Sequence, residues 1–321
     1  MSDRNVRRAA APGALQPTDY IALSDRIEAL IGEAGGLDYD ACVGALVEGM
    51  RTHFVALRED RNPVGAALAL WDAENLRFVI QEYAAFSNAA IHMFLEARIR
   101  NHWPALTQEI VHNMDEEMGA LTRGVPHLEL MRHGYLSELG VETREVEPTA
   151  ATRDFIDRTS RLFRDPDNAF LAGALLAFET TAVDEFRIVD RILRGYHALS
   201  GGNIPPESLT GAYIAGHVSA ERQDGGVDPE MEHYEGMVRA IGVHMRGRNL
   251  SVLARGFYAV CLELNRWWEL LAQQAPQQAI RKAIHCNRPP APDPYPALLE
   301  RFSGPQVLST REGQQVHAPV A

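Results

Sequence analysis

The sequence predicts an all-α protein. Apolar residues recur at the three- and four-residue spacing of helices from about residue 18 to residue 275. No series of alternating, β-branched segments bounded by hairpin turns interrupts this pattern. Glycine and proline divide it into about nine or ten helices. The breaks are at residues 35–36, 62–63, 124–126, 140, 165–166, 201–206 and 225–229.

The breaks contain residues that favour helix ends. Pro126, Pro166, Pro206 and Pro229 could each occupy a first helical turn, because the N–H that proline lacks has no partner there. Gly140 suits the position just past a helix end. Since no period of about 20 to 50 residues repeats, one compact bundle is expected in place of a helical solenoid.

The two ends differ in composition from the helical middle. Residues 1–17 are rich in arginine, alanine and proline, and the chain reads NRPPAPDPYP from Asn287. We therefore expect a flexible arm at residues 1–17, a helical domain at 18–275 and a proline-rich arm at 276–321. Such arms could wrap a partner subunit, so a homodimer is one expectation.

Length, charge and cysteine content restrict the function classes. The chain has 321 residues and a net charge of -12, which argues against a nucleic-acid partner. No stretch approaches the roughly 18 apolar residues of a membrane span, and the beginning lacks the apolar run of a secretory signal. The three cysteines, Cys42, Cys261 and Cys286, are too far apart for a CxxC site. We expect a cytoplasmic protein without a membrane partner that acts on a small molecule.

A carboxylate lies on an apolar helix face in the segment EIVHNMDEEMGAL. Ile110, Met114 and Leu121 have the spacing of one buried face, and Glu117 lies between the last two. After Pro126, His127 shares a face with apolar residues of the next helix. Both side chains are therefore expected to point inward.

Similar placements recur in the second half of the chain. Glu179 continues the apolar face of the segment AFLAGALLAFE, and His217 and Glu221 are one turn apart in YIAGHVSAE. Glu230 and His233 follow at a spacing of three residues. Buried carboxylates without compensation are costly, whereas a divalent cation removes that cost. Carboxylate and imidazole ligands without thiolate favour iron or manganese, and several such helices are typical of a di-iron carboxylate site.

These motifs resemble a known family. The stretches NMDEEMG and PHLELM resemble the NxxDExG and HxxLF signature of the heme-oxygenase-like di-iron oxidases and oxygenases. The similarity extends over about residues 70–245. The resemblance implies a seven-helix bundle, here with extra N-terminal helices, that binds two irons and no heme. The ligands that it implies are Glu117, His127, Glu179, His217, Glu221 and His233. Glu117 and His127 would hold one iron and His217, Glu221 and His233 the other, with Glu179 bridging or shared.

The sequence departs from the family pattern in two places. The segment RQDGGVDPEME separates Glu221 from His233, so Glu230 could be the third carboxylate in place of Glu221. Some members, notably N-oxygenases, have a further carboxylate about 26 residues before the first glutamate ligand, a spacing that here falls on Ile91 and His92.

The resemblance implies an O2-dependent non-heme di-iron oxidoreductase that uses two Fe(II) ions, O2 and an external reductant. The expected substrate is a small amino acid-like molecule that undergoes C–H abstraction, leading to desaturation, fragmentation or cyclisation in natural-product biosynthesis. Arg187 or Arg191 could bind its carboxylate.

Three alternatives stay open at this point. One is an N-oxygenase of an amine or amino acid. Another is a ferritin-like di-iron protein that uses the two ExxH pairs, Glu109 with His112 and Glu230 with His233. The third is a helical binding protein without catalytic activity.

Overall fold

The computed structural model describes residues 18–199, 201–218 and 229–277, and within these ranges it contains helices and turns but no strand. The prediction of an all-α protein is confirmed. The helices are α1 (Tyr20–Ala34), α2 (Tyr39–His53), α3 (Pro63–Ala67), α4 (Ala73–Arg100), α5 (Pro104–Glu117), α6 (His127–Leu139), α7 (Ala150–Leu162), α8 (Asn168–Leu199), α9 (Leu209–His217), α10 (Pro229–Met245) and α11 (Ser251–Gln274). None of these helices is long and apolar enough to cross a membrane.

The central pair of helices is α8 and α11, which pack closely along their length. Their crossing requires two glycines. A Cβ atom on Gly173 would overlap the carbonyl oxygen of Leu253, and one on Gly256 would overlap the carbonyl oxygen of Phe170. Because backbone atoms fill both spaces, no side chain fits at either position without separating the helices. Helices α4 and α10 also pack against α8.

An aromatic cluster fills the space between α4, α7, α8 and α11. Trp267 stacks on Phe155 with ring centroids 4.7 Å apart, and the Phe86 ring lies 5.1 Å from each of them. The indole of Trp267 donates a hydrogen bond of 2.9 Å to the Thr152 hydroxyl. Phe86 also contacts Phe178 of α8 with ring centroids 5.8 Å apart, and because such rings bury large apolar areas, the cluster fixes α4 and α8 beside the site described below.

The helix ends agree only partly with the predicted breaks. Pro229 begins α10, and Gly140 follows α6 in the left-handed conformation at φ 65°, both as predicted. Pro126, however, precedes the first residue of α6. Pro166 lies two residues before α8, and α9 begins only after Ser208, whose side chain accepts from the Gly211 N–H. The prediction of a first-turn position was therefore wrong for Pro126, Pro166 and Pro206, because these prolines lie in the preceding turns.

Candidate metal centre

The first group of candidate ligands, here called the first cluster, contains Glu117, His127 and His217. Glu117 ends α5, His127 begins α6 and His217 ends α9. Glu117 Oε1 lies 3.4 Å from His127 Nδ1 and 3.3 Å from His217 Nε2. Both histidines are buried, whereas the Glu117 side chain keeps 30% of its surface exposed. Three helix ends thus bring two imidazoles to one carboxylate oxygen.

A tight turn brings Glu117 and His127 together. Helix α5 stops at Glu117, and Gly119 then adopts φ 104°, where a Cβ atom would come within 2.7 Å of the Val125 nitrogen. The Gly124 N–H donates to the Gly119 carbonyl oxygen at 2.9 Å and closes the turn. Glycine is the residue that adopts this conformation without a steric cost. The turn therefore reverses the chain within a few residues of both ligands.

The hydrogen bonds of His217 leave one ring nitrogen for a cation. Its Nδ1 lies 2.8 Å from the Tyr213 carbonyl oxygen, which can only accept, so Nδ1 holds the proton. In the neutral ring, Nε2 then carries a lone pair, and this lone pair faces a carboxylate oxygen of Glu117. Among the described residues, neither ring nitrogen of His127 has a hydrogen-bond partner. Acceptors that face each other in a buried site need a proton or a metal ion between them.

The second group, here called the second cluster, contains Glu179 of α8 and Glu230 and His233 of α10. His233 Nδ1 lies 3.9 Å from Glu179 Oε2 and 3.7 Å from Glu230 Oε2. All three residues are buried. The amide of Asn113, on α5, donates a hydrogen bond of 2.8 Å to Glu179 Oε1. This bond holds the carboxylate and leaves its other oxygen directed to the cluster.

The other ring nitrogen of His233 contacts the carboxylate of Glu116. The distance from His233 Nε2 to Glu116 Oε2 is 2.7 Å, and Glu116 is itself buried on α5. A carboxylate that accepts from one imidazole nitrogen fixes the ring and leaves the other nitrogen available to a metal. Glu116 therefore orients His233 toward Glu179 and Glu230.

The pKa shifts reflect the concentration of acidic groups. Burial alone would raise the pKa of Glu117, but the adjacent imidazoles of His127 and His217 hold it well below its usual range. Burial raises the pKa of Glu179, which has only partial compensation from His233. Burial would lower the pKa of His233, but its carboxylate neighbours raise it to about 10. Without another cation, protons must supply the positive charge that these carboxylates require.

Each of the two clusters could hold a metal ion. Each offers one ligand atom from three residues, and these atoms lie within 4.8 Å of one another. The first cluster has one carboxylate and two imidazoles, and the second has two carboxylates and one imidazole. Oxygen and imidazole ligands without thiolate fit iron or manganese. A divalent cation would stabilise the facing acceptors of the first cluster. It would also stabilise the neighbouring buried carboxylates of the second.

Both clusters open onto one cavity of about 100 Å³. Glu117 and His217 line it from the first cluster, and all three residues of the second cluster line it as well. Its apolar walls come from α4, α5, α6 and α8, and the lining includes Phe86, Ile91, Phe94, Leu128, Met131, Phe178 and Phe186. The described residues that line this cavity include neither lysine nor arginine.

The structure groups the predicted ligands differently from the expected division. His217 joins Glu117 and His127 rather than His233, and Glu179 belongs to the second cluster. Glu230 lies in that cluster with His233, whereas Glu221 falls outside the described residues. The grouping differs because the end of α9 lies beside the α5–α6 turn.

Two arginines and one apolar residue do not occupy their predicted places. Arg187 and Arg191 are exposed, and neither lines the cavity. Arg191 instead donates to the carbonyl oxygens of Glu59 and Gly65. Their position along α8 suggested proximity to Glu179, but they project from the solvent side of the helix. Leu121 was expected on the face of Glu117 and is 54% exposed, because α5 has already ended.

The paired ExxH arrangement of a ferritin-like site is absent from the described residues. Glu109 belongs to neither cluster, and the side chain of His112 is 57% exposed. His112 Nε2 lies 3.3 Å from Glu116 Oε1, outside both clusters. Glu230 and His233 do occupy a cluster, so only one of the two ExxH pairs converges on the cavity.

Sequence reasoning missed three polar residues around the cavity, namely Asn113, Glu116 and Glu185. Asn113 and Glu116 stand inside the NMDEEMG motif, so their place in the motif was an available signal. Glu185 is buried on α8, lines the cavity and accepts a hydrogen bond of 3.2 Å from the Tyr83 hydroxyl. It stands seven residues after Phe178 and so continues the apolar face of α8, which made periodicity an available signal.

These features define an all-helical protein with paired glutamate and histidine clusters on a shared cavity. Residues 41–274 match the family model described as a domain of unknown function with a solved structure, DUF3865. The chain therefore belongs to this family. None of the curated proteins matches the chain.

Solved structures of one relative share the fold. A CADD-like protein of unknown function from Nostoc punctiforme, solved at 2.00 Å, is 25% identical, with a TM-score of 0.65 over 74% of this chain and 98% of that chain. A second structure of that protein, at 1.35 Å, gives 24% identity and a TM-score of 0.64 over 74% and 96% of the two chains. The similarity covers nearly the whole of the solved chain, so the two proteins share the fold over its length.

Proposed function

We propose that this protein is an O2-dependent non-heme di-iron oxidoreductase that acts on a small, amino acid-like substrate. The observation that supports this proposal is the convergence of two clusters, each with glutamate and histidine, on a single cavity. When bound, two Fe(II) ions would supply the redox chemistry for O2 reduction, with electrons from an external reductant. The first cluster would hold one ion and the second cluster the other.

The chain's own residues supply binding, orientation and exclusion of water. The Tyr213 carbonyl oxygen keeps the proton of His217 on Nδ1, and Glu116 does the same for Nε2 of His233. The Asn113 amide fixes one oxygen of Glu179. These outer contacts set ligand orientation before a metal binds, which lowers the cost of assembling the site.

The cavity walls suit hydrogen abstraction from an unactivated carbon. Aromatic and aliphatic side chains line the space beside both clusters and would hold a substrate carbon close to the metals while limiting water. Ile91 lines the cavity and brings no carboxylate. This favours C–H abstraction over the N-oxygenation for which related enzymes have an additional carboxylate, with desaturation, fragmentation or cyclisation as outcomes.

Anaerobic loading with Fe(II), followed by exposure to O2, tests the proposed function. We expect uptake of about two irons per chain and a transient visible absorption after O2 addition. Replacement of Glu117 or His217 by alanine should abolish the transient absorption, because either change removes a ligand of the first cluster. Replacement of His102, an exposed histidine outside both clusters, provides the matched control and should leave loading and absorption unchanged.

Two results would contradict the proposal. Failure of the folded protein to take up iron would favour a helical binding protein without metal chemistry. Uptake of iron with no consumption of O2 in the presence of reductant would separate metal binding from oxidase activity and refute the latter. Circular dichroism of each variant, before loading, checks that the helices have formed.

A further inference from the structure

A buried carboxylate lines the cavity without belonging to either cluster. Glu185 of α8 is 8% exposed and accepts a hydrogen bond of 3.2 Å from Tyr83 of α4. It lies beyond Ala182 and beside Phe186, on the part of the lining formed by α8. Neither of the proposed ions therefore accounts for the presence of this acidic group.

The remainder of the cavity provides no positive side chain for Glu185. Among the described residues that line it, the groups able to hold a positive charge are His217 and His233, and each belongs to a cluster. An ionised carboxylate in such surroundings is costly unless a cation pairs with it. Burial accordingly raises the pKa of Glu185 to about 8. A ligand that brings its own positive charge would remove this cost.

The space next to Glu185 suits an apolar body. Phe86, Phe178 and Phe186 contribute to the walls, and the cavity volume of about 100 Å³ limits the ligand to a small molecule. For comparison, a cavity of about 150 Å³ is enough for a benzene ring. Tyr83 and the side chain of Trp268 donate to the carboxylate, which leaves acceptor capacity for an ammonium group.

We propose that the cavity binds a small primary amine, with its ammonium group paired to Glu185 and its apolar part against the phenylalanine walls. The inference rests on the proposed function for its choice of the cavity as the reaction site, and it defines the substrate class further. A substrate carboxylate would find no arginine or lysine among the described lining residues. Recognition therefore uses the amino end of the molecule, in place of the carboxylate that Arg187 or Arg191 was expected to bind.

In this arrangement Glu185 acts as a specificity residue and the clusters act on the carbon chain. An ammonium group paired with Glu185 keeps the amine nitrogen at a carboxylate that belongs to neither cluster. The carbon atoms next to it then occupy the space that the two clusters line. This placement directs the chemistry to a C–H bond of the amine, in agreement with hydrogen abstraction.

Calorimetric titration of the metal-free, full-length chain with n-propylamine, 1-propanol and propionate tests the inference. These probes share a three-carbon chain and differ in charge. We expect n-propylamine to bind about tenfold or more tightly than the other two, because only it pairs with Glu185. Glu185→Gln should remove this preference. Glu207→Gln, the same change at an exposed position outside the cavity, should retain it.

A second variant distinguishes Glu185 from the clusters. In the metal-free chain an ammonium could instead pair with a cluster carboxylate, and Glu179→Gln would then abolish the preference while Glu185→Gln would not. That result, or equal affinity for the three probes, would overturn the inference. Either of these two results leaves the proposed function intact if the wild-type chain still binds two irons and consumes O2. Conversely, an intact preference for n-propylamine in a chain that binds no iron would refute the proposed function alone.

Discussion

Glu116 acts on the site through His233 rather than as a ligand of either cluster. It accepts from His233 Nε2 at 2.7 Å and is buried beside the second cluster. Outer carboxylates of this type raise the basicity of a ligating imidazole and fix its orientation. We therefore treat Glu116 as a positioning residue whose loss weakens metal binding without removing a ligand.

Replacement of Glu116 by alanine should lower the affinity for one of the two metal ions by about 10- to 100-fold. The His233 ring would lose its partner, while all the residues of the two clusters remain. Metal titration, monitored by competition with a chelator, measures this change. Asp115→Ala is the matched control, because Asp115 is the exposed neighbour on the same helix. Equal affinities in the two variants would rule out the positioning role.

The ionisation of Glu185 should make the metal-free protein less stable as pH rises. Burial raises its pKa from 4.5 to about 8, so the folded state retains a proton that the unfolded state has lost within this range. The free energy of unfolding then falls between pH 4.5 and about 8, by up to about 1.4 kcal/mol per pH unit. Tyr83, Glu230 and His217 are the titratable groups that act on it.

Urea denaturation of the wild type and Glu185→Gln at pH 5.5 and 7.5, without metal, measures the effect. The wild type should lose more stability between these values than the variant, since glutamine does not titrate. The other groups that act on Glu185 are present in both proteins and cancel in the comparison. Parallel stability profiles would show that Glu185 stays in one ionisation state throughout.

At the level of single residues, the sequence pattern identified polar residues within apolar helix faces and missed other polar residues of the same helices. Glu179 and His217 continue apolar stripes, and both are buried at a cluster. Glu116 lies off the face of Glu117, so helical spacing could not select it, whereas Glu185 stands seven residues after Phe178 and could have been selected. Their roles depend on contacts with Tyr83 and His233, which are distant in sequence.

Among the helix–helix contacts, the crossing of α8 with α11 has the least tolerance for added side-chain volume. Gly173 and Gly256 bring the two backbones together, and the space for each Cβ atom is already filled by a carbonyl group. Overpacking of this kind cannot be relieved by a rotamer change, because the opposing atoms belong to the backbone. The crossing in turn fixes α8, which holds Glu179.

Gly173→Ala should destabilise the protein by about 3 kcal/mol or more, or prevent folding. Gly195→Ala, on the same helix, is the matched comparison. A Cβ atom there would make an ordinary contact of 3.7 Å with Leu76, so the gain in helix propensity should dominate. We expect Gly195→Ala to leave stability unchanged or raise it by up to about 1 kcal/mol in thermal unfolding. Similar unfolding temperatures for both variants would contradict the requirement for close approach.

Helix existence was predictable from apolar periodicity, whereas some helix ends were not. The pattern of Ile110 and Met114 continues to Leu121, so periodicity extended α5 past its true end. Gly119 stops the helix because its backbone turns to φ 104°. The position of that turn is what places Glu117 next to His127, and a periodic pattern does not contain this information.

For the whole molecule, the candidate metal centre joins helices that are far apart in the chain. The first cluster uses α5, α6 and α9, and the second uses α8 and α10. An ion bound at either cluster has no equivalent site in the unfolded chain, so binding and folding are thermodynamically linked. Metal removal should therefore act on the stability of the bundle as a unit.

Addition of Mn²⁺ to the chelator-treated protein should raise its unfolding temperature. At a free ion concentration of about 100 times Kd, linkage contributes about 2.7 kcal/mol per site. Mg²⁺ is a suitable control ion, because it prefers oxygen ligands and retains its water. A Glu117→Ala, Glu179→Ala double variant should lose the response. An equal response to both ions, or to Mn²⁺ in the double variant, would place the binding elsewhere.

The all-α architecture and most candidate ligands could be predicted because each depends on local spacing. The division of ligands between clusters could not, since it depends on how α9 and α10 pack around α5 and α8. His217 was expected to share an ion with His233, yet it contacts Glu117, which is 100 positions earlier. Such long-range placement follows from tertiary packing, which one sequence without its structure does not specify.

Helix α5 supplies residues to both clusters over little more than one turn. Asn113 and Glu116 support the second cluster, and Glu117 belongs to the first. A shift of this helix along its axis would consequently displace both clusters together. A change that moves one cluster without the other must therefore come from α6, α8, α9 or α10, or from a substitution on α5 that leaves its axis in place.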